Sequence, residues 1–289
     1  MADRFSHFAA FDWSGAATER PAGIAGAICV NGHDAPQLIR PAHRWSRAEV
    51  LRWLREEMPD DTLVGLDLGL SFPFVDCGAF LPGWTESPAD ARSLWHLVDR
   101  LCEGDPHLGA SSFVDHAEAA RHFRRHGGRR GDLFPAGRGR LRITEERQRQ
   151  QGCNPYSNFN LVGAAQVGKA SLTGMRLLHR LGPDIAVWPI DELPDRGPVI
   201  VEIYTAMAAM AGGRRPGASK IRSRPLLNQA LAAIGSAPWR QRAPLDDHRA
   251  DAILAAAWLR ASAQRPDLWR PQGLTRTIAR TEGWTFGVA

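Results

Sequence analysis

Asp246-Asp247-His248-Arg249-Ala250-Asp251-Ala252 runs on into Ile253-Leu254-Ala255-Ala256-Ala257-Trp258-Leu259, an acidic helix opening joined to a fully apolar run. An α-helix turns once every 3.6 residues or so, which puts Asp247 and Asp251 one above the other on one face of its first turn. Two carboxylates so placed can share a cation. Asp246 or Asp247 has a simpler use as a cap, because an acid there accepts orphan amide hydrogens and suits the positive end of the helix dipole. Capping accounts for one acid, not three. The remainder is apolar nearly all round, the pattern of a helix packed inside a domain. Asp251 therefore sits at the edge of a core, where a carboxylate is costly unless it is paired, hydrogen-bonded or bound to metal.

Working outward, the chain offers further acids at the ends of apolar runs. Residues 8–16 read as a buried strand entering a Gly-containing turn, with Asp12 at its carboxyl end. Thr62-Leu63-Val64-Gly65-Leu66-Asp67-Leu68-Gly69 repeats the pattern and ends at Asp67, unless Asp67 merely opens a turn before Gly69. Ligand sites in open α/β sheets lie at the carboxyl ends of strands, so the two aspartates converge if their strands are neighbours. Between them, 23–30 and 37–45 read as strands, with Asn31-Gly32 as a hairpin turn. Ser46 and Glu49 form a capping box for a helix striped by Val50, Leu51, Trp53 and Leu54. Later, 185–190 and 198–204 read as strands, and Glu202 is an acid within a β-branched run that demands a partner if both faces are covered. Helical patterns follow at 206–211 and 226–234, and 277–288 reads as a last edge strand.

Residues 72 to about 151 are rich in Gly, Pro and Arg, with helices expected near 88–102 and 114–125 and too little apolar content for a separate core. They read as an insertion over the sheet of a single domain spanning 1–289. Alternating strands and helices imply an α/β layer architecture. The 289 residues, 44% hydrophobic and 23% charged, are an ordinary globular composition. No apolar run approaches the roughly 20 residues of a membrane span, and the start does not read as a signal peptide, so the expected location is the cytoplasm. Cys29, Cys77, Cys102 and Cys153 are scattered and read as reduced thiols, neither a zinc site nor a disulfide framework.

A net charge of +5 favours polyanionic partners. The basic residues cluster at 121–130 and again at Arg138, Arg140, Arg142, Arg147 and Arg149, either as a solvated basic face or as a track for a phosphate backbone. Gly168-Lys169-Ala170-Ser171 tempts a phosphate-loop reading, but Gly163 has the wrong spacing and no strand directly precedes it.

Asp12, Asp67, Glu202, Asp247 and Asp251 together would repel one another unless cations neutralise them, and hard oxygen donors suit Mg2+ or Mn2+ rather than zinc. This order of acids resembles the RNase H-like superfamily, particularly its resolvase-like branch. More closely, Phe11-Asp12-Trp13-Ser14-Gly15, Gly65-Leu66-Asp67-Leu68-Gly69-Leu70, Gln166-Val167-Gly168, Val187-Trp188-Pro189, Val201-Glu202-Ile203-Tyr204 and His248-Arg249-Ala250-Asp251-Ala252 look like a bacterial family described as predicted RNase H-like nucleases. The late helix departs from the resolvase pattern, with acids four apart from Asp247 or five from Asp246.

The resemblance implies a mixed sheet flanked by helices and an Mg2+- or Mn2+-dependent nuclease or phosphodiesterase acting on nucleic acid. Asp12 would bridge two ions, with Asp67 or Glu202 on one side and Asp247 and Asp251 on the other. His248 reads as a general base, an orienting group or a plain surface residue. Lys169, Lys220 and the arginines of 121–149 would neutralise backbone phosphates. The rival readings are a protein of the same fold that binds a nucleotide or small phosphorylated ligand, and a non-catalytic module whose acids form a structural network.

Overall fold

The computed structural model describes residues 4–163, 167–218 and 220–289; Gln166 of the motif quoted above lies outside them. The first apolar run forms β1 (His7–Asp12), which pairs antiparallel with β2 (Ala25–Val30). That strand pairs antiparallel with β3 (Gln37–Leu38), far shorter than the expected 37–45. Arg40 turns to a φ of +52°, and Pro41 has no amide hydrogen to offer a ladder. Helix α1 (Arg47–Arg52) starts from Ser46 with both halves of the Glu49 capping box formed. Strand β4 (Thr62–Leu66) then returns parallel to β1.

Helix α2 (Ala91–Leu101) follows. The single helix expected over 114–125 is instead two short turns, α3 (Ser111–Asp115) and α4 (Ala117–Ala120), broken where His116 takes an extended ψ of 134°. After α5 (Ile143–Gln150) and α6 (Val167–Leu181), strands β5 (Ala186–Trp188) and β6 (Val199–Glu202) complete the sheet. The chain ends with α7 (Thr205–Ala211), α8 (Arg224–Ala233), α9 (Asp247–Ala263), α10 (Pro266–Trp269) and α11 (Arg276–Thr281). The edge strand expected over 277–288 is therefore corrected: Thr275 caps a helix there, and only Thr285 bridges to the sheet, at Glu202.

The fold is α/β, with a six-stranded mixed sheet in the order β3-β2-β1-β4-β6-β5. Side chains alternate between its faces. Ala9, Phe11, Val64, Leu66 and Ile200 face the layer that contains α1, α2 and α6, and the aromatics Phe72, Phe80, Phe113, Phe123 and Phe134 of the 72–151 segment join that same core. Phe8, Ala10, Leu63, Val199 and Val201 face α7, α8 and α9. Five alanines of α9, between Ala250 and Ala257, are buried with little or no exposure, and their small side chains let the helix lie directly on β1 and β2. This is why the helix is apolar all round: both its sides are covered. Among the described residues no helix is long and apolar enough to cross a membrane. All four cysteines are free thiols.

Candidate functional site

The two strand-ending aspartates become neighbours through sheet register. Phe11 pairs with Leu66 across the parallel β1–β4 ladder, and the Asp67 amide donates to the Phe11 carbonyl at 3.0 Å, so Asp12 and Asp67 leave the sheet side by side. The turns that follow are pressed against the start of α6. A Cβ on Gly15 would meet the Lys169 carbonyl carbon at 2.3 Å, and one on Gly69 would meet the Ser171 hydroxyl at 2.7 Å. The Trp13 indole also donates to Thr173 at 3.1 Å. Gly15→Ala is therefore expected to push the Asp12 turn off α6, destabilising the chain by about 1–3 kcal/mol, as overpacking does. Thermal melting checks this; an unchanged melting temperature would mean that the turn does not need the close approach.

Helix α9 brings the third acid. Asp246 takes the cap, accepting from the Arg249 amide at 2.8 Å, which leaves the next turn free to face the strand ends. Asp251 is 7% exposed and is met by the Lys220 ammonium at 2.5 Å. His248 Nδ1 lies 2.6 Å from Asp12 Oδ2, and this hydrogen bond raises the imidazole pKa. Asp67 accepts from the Thr205 hydroxyl at 3.0 Å. Burial, then the charge of Asp12, holds the Asp67 pKa well above its ordinary 3.8, with Asp251 adding to it. Burial likewise raises Asp251, with Lys220 opposing and Asp12 adding. Asp12, Asp67 and Asp251 thus form one electrostatic unit at the carboxyl end of the parallel strands.

A raised folded pKa means that the native state holds the proton more tightly than the unfolded chain. The stability this confers is present below the ordinary carboxylate pKa and is lost as pH rises through the folded value. Asp67→Asn, which removes the charge, is therefore expected to raise the melting temperature at pH 8 by about 2–4 °C, the worth of roughly 1 kcal/mol in a chain of this size. The gain should shrink on acidification. An equal gain at pH 8 and pH 4 would contradict the charge-repulsion account.

Two of the expected acids are held by other partners, although Glu202 lines the same cleft as Asp67. Glu202 pairs with Leu66, one residue short of Asp67, and so emerges on the opposite face of the sheet. Its carboxylate is taken by Arg142 at 2.6 and 2.8 Å, the Thr285 hydroxyl at 2.5 Å and the Leu70 amide at 2.8 Å. Asp247 stays at the rim, 3.2 Å from Arg222. The basic run is also largely committed: Arg121 pairs with Asp132, Arg125 with Asp115, Arg140 with Asp76, and Arg149 with Glu146. Arg142 is buried and joined to Glu145 and Glu202. Lys169, the third residue of α6, lines the same cleft as Asp67, about 420 Å³ in volume. Thr205 and the cleft residue Tyr156 were not singled out in the sequence, and Tyr204 entered only as the end of a quoted motif; Thr205 follows a strand end by three residues, a signal too common to notice.

By charge and donor type, Asp12, Asp67 and Asp251 suit a hard divalent cation. By arrangement they are not a closed cage, since among the described residues no group of three or more His, Cys, Asp or Glu is disposed to hold a metal ion. A cation would have to draw Asp12 from His248 and Asp251 from Lys220, both side-chain rotations at a partly open rim. Fold and site together define an α/β protein with three mutually repelling aspartates where parallel strands meet a buried helix. No protein-family model, curated protein or solved structure matches the chain.

Proposed function

We propose that the chain is a phosphodiesterase of the RNase H-like type, acting on nucleic acid with Mg2+ or Mn2+ held by Asp12, Asp67 and Asp251. The observation that carries this is the convergence of three buried or half-buried aspartates, where burial and mutual charge raise the pKa values of Asp67 and Asp251 and a bound cation would offset that charge. A mixed sheet flanked by helices supports the RNase H-like reading. Glu202 and Asp247 drop out of the ligand set, because Arg142 and Arg222 hold them.

The residues divide the work. His248 and Thr205 are positioning residues: their hydrogen bonds at 2.6 and 3.0 Å fix the rotamers of Asp12 and Asp67. Lys169 stands at the cleft to neutralise a phosphate oxygen. Lys220 pairs with Asp251 at 2.5 Å, and its positive charge opposes the burial that raises the pKa of that carboxyl. When bound, a divalent ion in such a site lowers the pKa of a coordinated water towards neutrality and stabilises charge on the leaving oxygen.

The test is cleavage of labelled DNA and RNA oligonucleotides at millimolar Mg2+ or Mn2+, with Mn2+ titration calorimetry on the same sample. Metal-dependent cleavage is expected. A second reading, a binder of small phosphorylated ligands, is favoured by the absence of a closed metal-ligand group among the described residues. Mn2+ binding that appears only with added nucleotide, without cleavage, would establish it; no metal binding under any condition would overturn both.

A further inference from the structure

The cleft beside Asp67 does not stand alone. Gly15 and Lys169 are shared with a second cleft of about 200 Å³ that continues past them to Arg125 and Arg129. On the other side, Tyr156 and Tyr204 are shared with a third of about 270 Å³, which holds Asp251, Lys220 and Arg215. The shared residues set the three clefts side by side in one run, with Asp67 in the central one, Asp251 in the third and basic residues at both ends.

What lines the ends differs from the rest of the basic surface. Arg121, Arg125 and Arg140 are neutralised by carboxylates, whereas Arg129, Lys169 and Arg215 form no ion pair with a described residue. Their charge is available to a polyanion. Tyr156, at the divide between two of the clefts, is 36% exposed, and the Arg138 guanidinium lies 5.8 Å over its ring. A half-exposed aromatic flanked by a cation is a platform on which a base can stack.

We propose that this groove binds a single strand of nucleic acid, with a base on Tyr156 and backbone phosphates on Arg129 and Lys169 at one end and Arg215 at the other. The proposal rests on the phosphodiesterase reading only for the position of the cleaved bond. Paired bases in a duplex are stacked on each other and cannot turn out onto Tyr156 between the clefts; an unpaired strand can splay them. The occupant is therefore a strand rather than a duplex, and several nucleotides rather than one.

The test is fluorescence anisotropy in EDTA with a labelled strand of about 12 nucleotides, within the usual span of single-strand sites, as DNA and as RNA, against the same sequence as a duplex. The single strand is expected to bind at least tenfold more tightly. Tyr156→Ala should weaken binding by about 5- to 150-fold, with Tyr156→Phe retaining affinity and thermal melting showing both variants folded. Arg129→Ala and Lys169→Ala should each flatten the dependence of log affinity on log salt by about 0.7. Equal affinity for strand and duplex, or no effect of Tyr156→Ala, overturns the proposal, as does a mononucleotide that competes as well as the strand. Strand binding by a chain that never cleaves leaves the groove standing and removes the phosphodiesterase. Equal cleavage of strand and duplex without strand preference in binding does the reverse.

Discussion

Arg142→Ala is expected to lower the stability of the chain by about 3–5 kcal/mol, the usual cost of breaking a buried ion pair by deleting one partner. The guanidinium is 1% exposed and donates to Glu145 at 2.6 and 2.8 Å, to Glu202 at 2.6 and 2.8 Å and to the Glu282 carbonyl at 2.9 Å. Without it, two buried carboxylates lose the only full positive charge that pairs with them among the described residues. The loss propagates because the same cluster ties the end of the chain to the sheet: Glu282 accepts from the Phe74, Val75 and Ile143 amides, and Thr285 bonds Glu202. Chemical denaturation measures the effect. Adding Glu202→Gln to the Arg142→Ala chain should recover part of the loss, since the uncompensated charge is removed. A loss below 1 kcal/mol, or no recovery, would mean that the network contributes little.

Asp12→Asn is expected to reduce metal-dependent phosphodiester cleavage by on the order of 10³-fold or more, the several kcal/mol that a metal-held charge supplies to such a transition state. Asp12 is the acid in contact with both neighbours, side by side with Asp67 and bonded to His248. Amide replaces carboxylate with nearly the same shape, so folding should survive; far-ultraviolet circular dichroism checks that. Cleavage that persists in this variant places the chemistry elsewhere. His248→Gln offers the contrast: as a positioning residue it should cost less, and its effect should appear mainly as a change in pH profile.

Much of the architecture was readable from local patterns. The capping box at Ser46 and Glu49, the strand ending at Asp12, the strand Thr62–Leu66 leading up to Asp67 and the buried helix opening at Asp246 all formed where the residues indicated. Each depends on neighbours within a turn or two along the chain. The misreading at the end of the chain has a specific cause. The 277–288 segment has alternating apolar residues but becomes a helix and a single bridge, because Thr275 caps the helix and the chain reaches the sheet only where Thr285 bridges Glu202, among the described residues.

By itself the sequence determined the candidate acids, the order of the elements and the inward burial of α9, since these follow from residue type and period. Tertiary structure alone decided which acids meet. Asp12 and Asp67 were joined, and Glu202 was turned away, by a register offset of one residue between parallel strands, which exchanges the two faces of a sheet. The fate of the arginines was decided in the same way: whether a guanidinium faces a carboxylate or an open groove depends on partners 10 to 64 residues away, as for Arg125 and Arg140, and no spacing in the chain records it.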